Sequence, residues 1–203
     1  MKIPPTSNDP RVKRTRQLLL QAFGELMEEK GFSAMSIQDI TARATVNRGT
    51  FYAHFPDKYA LLDAFTRNQF HQAVENKLPS PSRLGRTTLC LLIQAVAEYL
   101  NTLYSHCQPS DIINPSLNPF LAQALQEELT RLLLTWLKLE RISKRVPVET
   151  IAVTTSWAIL GAVVQWCRES KTLSTEQMAD QALMVMTEGL ERLAPDAFQD
   201  SER

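Results

Sequence analysis

The chain is short of the residues that would make it cross-linked, metal-bound or membrane-embedded. Its 203 residues include only three cysteines, three histidines and six glycines. Cys90, Cys107 and Cys167 are scattered, with no Cys-x-x-Cys pair and no histidine pair at ligand spacing, which argues against both a disulfide framework and a zinc site. Three reduced thiols behaving as small hydrophobes are expected instead. The histidines at 54, 71 and 106 fall on separate predicted helices without ligand spacing, so no metal and no cofactor is expected. There is no glycine-rich phosphate loop, no carboxylate pair and no Ser/His/Asp arrangement, which leaves an enzymatic reading without support. The longest unbroken apolar stretch, Trp157 to Val164, is far below the roughly 20 residues that cross a bilayer, and the first ten residues contain no apolar signal segment. The expectation is a cytoplasmic protein with no membrane partner.

No charge of either sign is in excess, since 22 Lys or Arg balance 22 Asp or Glu. That balance conceals an asymmetry. Residues 1–60 carry nine Lys or Arg against six Asp or Glu, while residues 61–203 carry 13 against 16. Lys2, Arg11, Lys13, Arg14 and Arg16 face only Asp9 within the first 16 residues. A basic arm on a neutral chain points to a local anionic partner, of which nucleic acid is the commonest.

What is present is helical periodicity throughout. Leu19, Ala22, Phe23, Leu26 and Met27 form one stripe of an amphipathic helix that Gly31 ends. Ser36 and Asp39 then resemble a capping box, with Asp in place of the usual Glu or Gln, opening a short helix that carries Ile37 and Ile40 to about Arg43. Asn47 caps a third helix, barely two turns long, whose inward residues are Phe51 and Phe55, and Pro56 stops it. Asp57 caps a fourth, ending before Pro79 and Pro81. Two such short helices cannot each bury enough surface to stand alone, so they must cross the first as a helix-turn-helix. With Phe51 and Phe55 inward, Arg48, Thr50, Tyr52 and His54 are left at other angles. Those are donors and flat rings suited to phosphates and base edges in a major groove.

Beyond Pro81 four further helices are predicted, over about 82–105, 119–142, 147–170 and 175–193, separated at residues 106–119 by one irregular, proline-rich connection. The fold class is therefore all-α: an N-terminal three-helix unit, residues 1–56, and a C-terminal helical ligand-binding and dimerisation domain, residues 57–203. The helix from Pro147 is apolar nearly all round, so it needs cover on both faces. Trp157, Gly161 and Val164 on it, with Met178, Ala182, Val185 and Gly189 on the last helix, are the candidates for a four-helix homodimer interface. Phe65, Cys90, Tyr99, Tyr104, His106 and Trp136 are the candidates for lining a ligand pocket, although for Trp136, Trp157 and Trp166 core or dimer packing is the favoured reading.

The stretch "TRQLLLQAFGELMEEKGFSAMSIQDITARATVNRGTFYAHFPDKYALLDAF", residues 15–65, resembles the DNA-binding domain of the tetracycline-repressor (TetR/AcrR) family of bacterial regulators. The likeness rests on the GF pair after the first helix, on "SIQDIT", and on "GTFYAHF" followed shortly by a lysine, and it covers about the first third of the chain. It implies that Ser36 touches a phosphate and that Arg48, Gly49 and Thr50 open the recognition helix. Tyr52 and His54 would meet phosphates or thymine methyls, Lys58 a phosphate, and Arg14 and Arg16 phosphates or the minor groove. Asn47 stands where serine is commoner and Thr41 where alanine is usual, departures that bear on the operator sequence and not on the fold. The implied function is a repressor that binds a palindromic double-stranded operator as a homodimer, with recognition helices about 34–36 Å apart, and is released by a small-molecule effector. A ligand-dependent activator, or a ligand-binding scaffold that keeps the fold without DNA binding, are the alternatives.

Overall fold

The structure, a computed structural model, describes residues 9–106, 118–140, 146–168 and 173–193, with the side chains of 104–106, 118–120 and 190–193 outside that description. The described residues form eight α-helices and no strand: α1 (Pro10–Ala34), α2 (Ile37–Arg43), α3 (Arg48–His54), α4 (Lys58–Lys77), α5 (Arg86–His106), α6 (Asn118–Leu137), α7 (Val148–Arg168) and α8 (Thr175–Leu193). They divide into two compact units. The first comprises Met1–Asn68 with Tyr104–Leu121, and the second Gln69–Leu103 with Ala122–Arg203. The division falls inside α4 and not at Pro56, because Leu61 and Leu62 on the first turns of α4 are buried in the core of the first unit.

The ends of the short helices are fixed by local chemistry. The Asp9 carboxylate accepts from the Arg11 N–H at 2.9 Å, with Pro10 following at the first helical position. Gly31 interrupts α1 with φ 74°, a left-handed value that glycine adopts without a Cβ penalty. At α2 the Ser36 Oγ accepts from the Asp39 N–H at 3.2 Å while the Asp39 carboxylate accepts from the Ser36 N–H at 2.8 Å, so the shorter acid closes the box after all. Asn47 Oδ1 accepts from the Thr50 N–H at 2.7 Å and starts α3, and Asp57 Oδ1 accepts from the Ala60 N–H at 2.8 Å and starts α4. Between α2 and α3 the chain turns at Thr45, whose φ of 56° places a β-branched residue in the left-handed region.

The core of the first unit is aromatic. Leu19, Phe23 and Ile40 are fully buried, Phe23 meets Phe32 edge-on at 6.1 Å and Phe65 at 5.2 Å, and Phe51 and Phe55 of α3 lie 6.0 Å apart against the same cluster. The core of the second is mainly aliphatic: Leu92, Ile93 and Val96 of α5, Leu125, Leu129 and Leu133 of α6, Ile159 and Val163 of α7, and Ala179 and Leu183 of α8. A chain of hydrogen bonds fixes α6 against α7, from Gln126 Nε2 to Thr130 Oγ1 at 2.9 Å, to Ser156 Oγ at 2.9 Å, to the Val153 carbonyl at 2.8 Å. Glu128, 4% exposed, is a buried carboxylate met by Arg131 and by His71 Nε2 at 3.0 Å.

Replacing Thr45 with asparagine, which tolerates the left-handed region, is expected to raise stability by about 0.5–1.5 kcal/mol. Urea unfolding of the two proteins checks this, and an unchanged or lower midpoint would contradict it.

Candidate nucleic-acid interface

At 100° per residue, the burial of Phe51 (0% exposed) and Phe55 (2%) sets the rotation of α3. Gly49 and Ala53 then occupy its outermost line, and both are exposed. Tyr52 lies to one side of that line and Thr50 and His54 to the other, while Arg48, seven residues before Phe55, stands at the first position of the helix on the Phe55 side. Arg48 and Tyr52 are exposed, whereas Thr50 and His54 are half-buried. Arg48 Nη2 donates to Tyr52 Oη at 3.4 Å, one turn along the same face, and its guanidinium lies 6.0 Å from the Tyr52 ring. The Thr50 hydroxyl donates to Asn47 Oδ1 at 3.1 Å, so Asn47 accepts twice through its carbonyl oxygen and holds the start of the helix.

The other residues expected here have partners inside the protein. The Ser36 hydroxyl donates to Asp39 at 2.7 Å, and Lys30 Nζ meets the same carboxylate at 2.8 Å. Lys30, then Ser36, hold the Asp39 carboxyl far below the usual carboxylate range. Lys58 Nζ donates to the carbonyls of Phe32 at 3.0 Å and Met35 at 2.8 Å and lies 4.2 Å over the Phe32 ring. It ties the start of α4 to the end of α1. The Arg16 guanidinium covers the Phe55 ring at 4.5 Å, while Arg14 is exposed on α1. Partial burial first, and Arg16 second, lower the pKa of His54 from its ordinary 6.5. Sequence reasoning missed a further clamp between α1 and α2, in which Arg43 forks onto Glu29 at 2.7 Å and reaches Glu25 at 3.1 Å. Its signal was the acidic pair one turn apart on α1.

The chain is matched over residues 19–65 by the family model described as "Bacterial regulatory proteins, tetR family". That segment of the chain is similar to the tetR-family regulators. The Tn10 TetC protein of Escherichia coli is 42% identical over 57 residues, 28% of this chain and 29% of that protein. The transcriptional repressor DhaR of Mycobacterium sp. strain GP1 is 44% identical over 45 residues, 22% of this chain and 23% of DhaR. Over the whole fold, Thermus thermophilus FadR, a TetR-family repressor solved in complex with lauroyl-CoA, superimposes with a TM-score of 0.59 at 19% identity, covering 86% of this chain and 94% of FadR. The chain spans only 18% to 34% of the length of the curated relatives it matches.

The residues expected to line a ligand pocket are dispersed. Phe65 belongs to the aromatic core of the first unit. In the second, Trp136 is 3% exposed, Tyr99 packs edge-on to Phe70 at 6.2 Å, and the half-buried Cys90 thiol, its pKa raised by desolvation and then by Asp180, lies 3.4 Å from Asp180 Oδ1. Tyr104 and His106 end α5 with side chains outside the described residues, as do Lys2, Cys107, Ile142 and most of the 106–119 connection. An open cleft of about 430 Å³ on α6 and α7 is lined by Gln126, Thr130, Arg131, Leu134, Lys138 and Val153, among others, and by none of the six expected residues. Of the residues assigned to the dimer face, Trp157 (52% exposed), Gly161 and Val185 (48%) are exposed, and Val164 and Ala182 half-buried. Met178 is 5% exposed and points into its own unit, and Gly189 has φ 72°, so that glycine serves a break in α8.

Two expectations follow. Lys58→Ala is expected to destabilise the protein by about 1–3 kcal/mol in the absence of DNA, because it strands two carbonyls at the end of α1; an unchanged melting curve would contradict the clamp. His54 is expected to titrate below 6.5 by NMR and to move upward in Arg16→Ala. Since unfolding raises its pKa, the stability that His54 contributes is complete above about pH 6.5 and falls as pH drops through its folded value.

Proposed function

We propose that the protein is a cytoplasmic transcriptional repressor that binds a palindromic operator in double-stranded DNA as a homodimer, and that a small-molecule effector held by the second unit releases it. The observation that carries the reading is the face of α3, where Arg48, Gly49, Tyr52 and Ala53 are exposed over a fully buried Phe51, inside the segment that matches the family. The naming of DhaR and of Thermus thermophilus FadR as repressors supports the sign of regulation.

The homodimer is supported by α7 and α8. α7 buries Ala152, Ser156, Ile159, Leu160, Val163 and Trp166 and leaves Val153 (41%) and Trp157 (52%) exposed, while α8 exposes Met184 (42%) and Val185 (48%). Among the described residues, and apart from the neighbouring backbone of α7 itself, nothing lies within 4 Å of the position a Cβ on Gly161 would take. A glycine in a helix interior costs about 1 kcal/mol relative to alanine, and close approach of a helix from a second copy offsets that cost. By length and composition α7 is also long and apolar enough to cross a membrane, with 33% of its apolar window buried. A partner's α7 and α8 covering the remainder in a four-helix interface accounts for that composition.

The effector is supported by the likeness in fold to a repressor solved with lauroyl-CoA. An effector favouring the non-binding state by about 2–3 kcal/mol lowers operator affinity roughly a hundredfold. α4, shared by both units, is the continuous element available to carry the change.

Selection from a random genomic fragment pool at increasing salt tests this reading. The expected result is one palindrome with half-site centres about 10 base pairs apart, or a multiple of that, and affinity that falls steeply with salt. A Val153→Glu, Trp157→Glu double variant is expected to sediment as a monomer and to lose the palindrome. Retention of nothing, or of all fragments equally and only at low salt, would reject DNA reading in favour of a scaffold that kept the fold.

A further inference from the structure

We infer that His71, Glu128 and Arg131 form a proton-operated latch between α4 and α6, in which protonation of His71 changes its partner from Arg131 to the buried Glu128 carboxylate. Three groups from two helices meet at one point. Glu128 and Arg131 stand three residues apart on one face of α6, where the guanidinium donates to Glu128 Oε2. His71 comes from α4, and its Nε2 lies 2.8 Å from Arg131 Nη2 and 3.0 Å from Glu128 Oε2. The Glu128 side chain is 3% exposed, so it depends on donors from the protein. Those of His71 and Arg131 are 51% and 62% exposed, which leaves both within reach of water and its protons.

The two contacts of Nε2 make opposite demands. A guanidinium can only donate, and an ionised carboxylate can only accept. Nε2 satisfies the first only as a bare nitrogen and the second only when it carries hydrogen. In a neutral imidazole one ring nitrogen is bare and the other protonated, as set by what each faces. Arg131 is the nearer of the two and already supplies Glu128 with a donor, so the neutral ring is assigned as Nδ1–H with Nε2 accepting from Arg131. α4 is then joined to α6 through the arginine. When the ring takes up a proton, Nε2–H becomes a charged donor to Glu128, the stronger kind of hydrogen bond, and like charge drives the exposed Arg131 guanidinium off the ring toward water. α4 is then joined directly to the carboxylate. Histidine is the side chain whose charge ordinarily changes between roughly pH 5 and 8. The charged groups around the cluster have other places: on α4, Arg67 pairs with Asp63 at 2.9 Å and Glu75 is exposed one turn beyond His71; on α6, Glu127 accepts from Gln123 at 3.0 Å; and on α5, which meets α4 through Tyr99 and Phe70, Glu98 pairs with Lys77. α4 contributes residues to both units, so the latch acts on the element that they share.

Long-range proton–nitrogen NMR of the full chain from about pH 5 to 8 tests the latch. The chain has three histidines, and the set of ring signals missing from His71→Gln assigns the residue. At the upper end Nε2 is expected to give the signal of a bare nitrogen and Nδ1 that of a protonated one; at the lower end both give that of a protonated one. Backbone amides of α6 near Glu128 are expected to shift with the same midpoint as the ring and to lose that shift in His71→Gln. Arg131→Met changes an exposed side chain and leaves Nε2 facing Glu128, so its neutral ring is expected to switch to Nε2–H. A wild-type ring that is Nε2–H when neutral overturns the proposal, because it then faces Glu128 at every pH and changes no partner. Amide shifts confined to α4 overturn it as well, since α6 would not feel the proton. A neutral ring that stays Nδ1–H in Arg131→Met, with the variant melting like wild type by circular dichroism, overturns the part assigned to Arg131. If that variant does not fold, the wild-type titration and its loss in His71→Gln decide the matter.

Discussion

The first unit depends on the insertion of Phe51 into the aromatic core of α1. α2 and α3 have seven residues each, too few to be helical in isolation, and their backbone bonds form because their apolar residues have a preformed surface to cover. Fully burying a phenylalanine stabilises by about 1.5–3 kcal/mol. Phe51 at 0% exposure and Ile40 at 0% do this for one helix each. The same contact has a second consequence. A helix held by Phe51 and Phe55 cannot rotate about its axis, so hydrophobic packing on one side dictates which polar groups the other side presents.

Around that core the charges fall into two groups. Lys30, Arg43 and Lys58 are tied to Asp39, to Glu25 and Glu29, and to backbone carbonyls. The exposed ion pairs among them contribute little stability each, but they set the crossing of α2 over α1 and the start of α4. Arg48 belongs to the other group. The basic excess of the first 60 residues is therefore not a uniform positive field: part of it is internal scaffolding that keeps the remainder correctly aimed.

Much of the first unit was legible in the sequence because its signals are local. Ser36 with Asp39, Asn47 with Thr50 and Asp57 with Ala60 are caps three residues apart, and each fixes a helix start in the structure. The inward pair Phe51 and Phe55 follows from one helical turn. Lys58 was not legible in the same way, since its acceptors lie 26 and 23 residues earlier in the chain, and a lysine after a proline carries no sign of which carbonyls it will reach. α7 was hard for the opposite reason. A helix apolar on every side gives periodicity nothing to phase, so spacing alone does not tell that Leu160 is 3% exposed while Trp157, three residues earlier, is 52% exposed. Phe65, read as a pocket residue, is at the right spacing on α4 for either unit, and only the three-dimensional division assigns it to the first.

The two units differ in how far one protomer completes them. The first closes its core from its own residues, whereas α7 and α8 leave Val153, Trp157, Met184 and Val185 exposed. In the proposed dimer that open face is covered by its own copy, so the stability of the second unit becomes dependent on protomer concentration. In the proposed dimer the same contact would also set DNA affinity. Joining two recognition helices makes the second half-site encounter intramolecular, an advantage of about 10²–10⁴ over either half alone, while one base contact is worth about 10- to 100-fold. On that proposal a charge placed on the α7 face would be as damaging to operator binding as the loss of a base contact, although it touches no DNA. The proposed effector in the second unit therefore need not reach α3; it would need only to alter how two copies hold their α3 helices relative to the spacing of the groove.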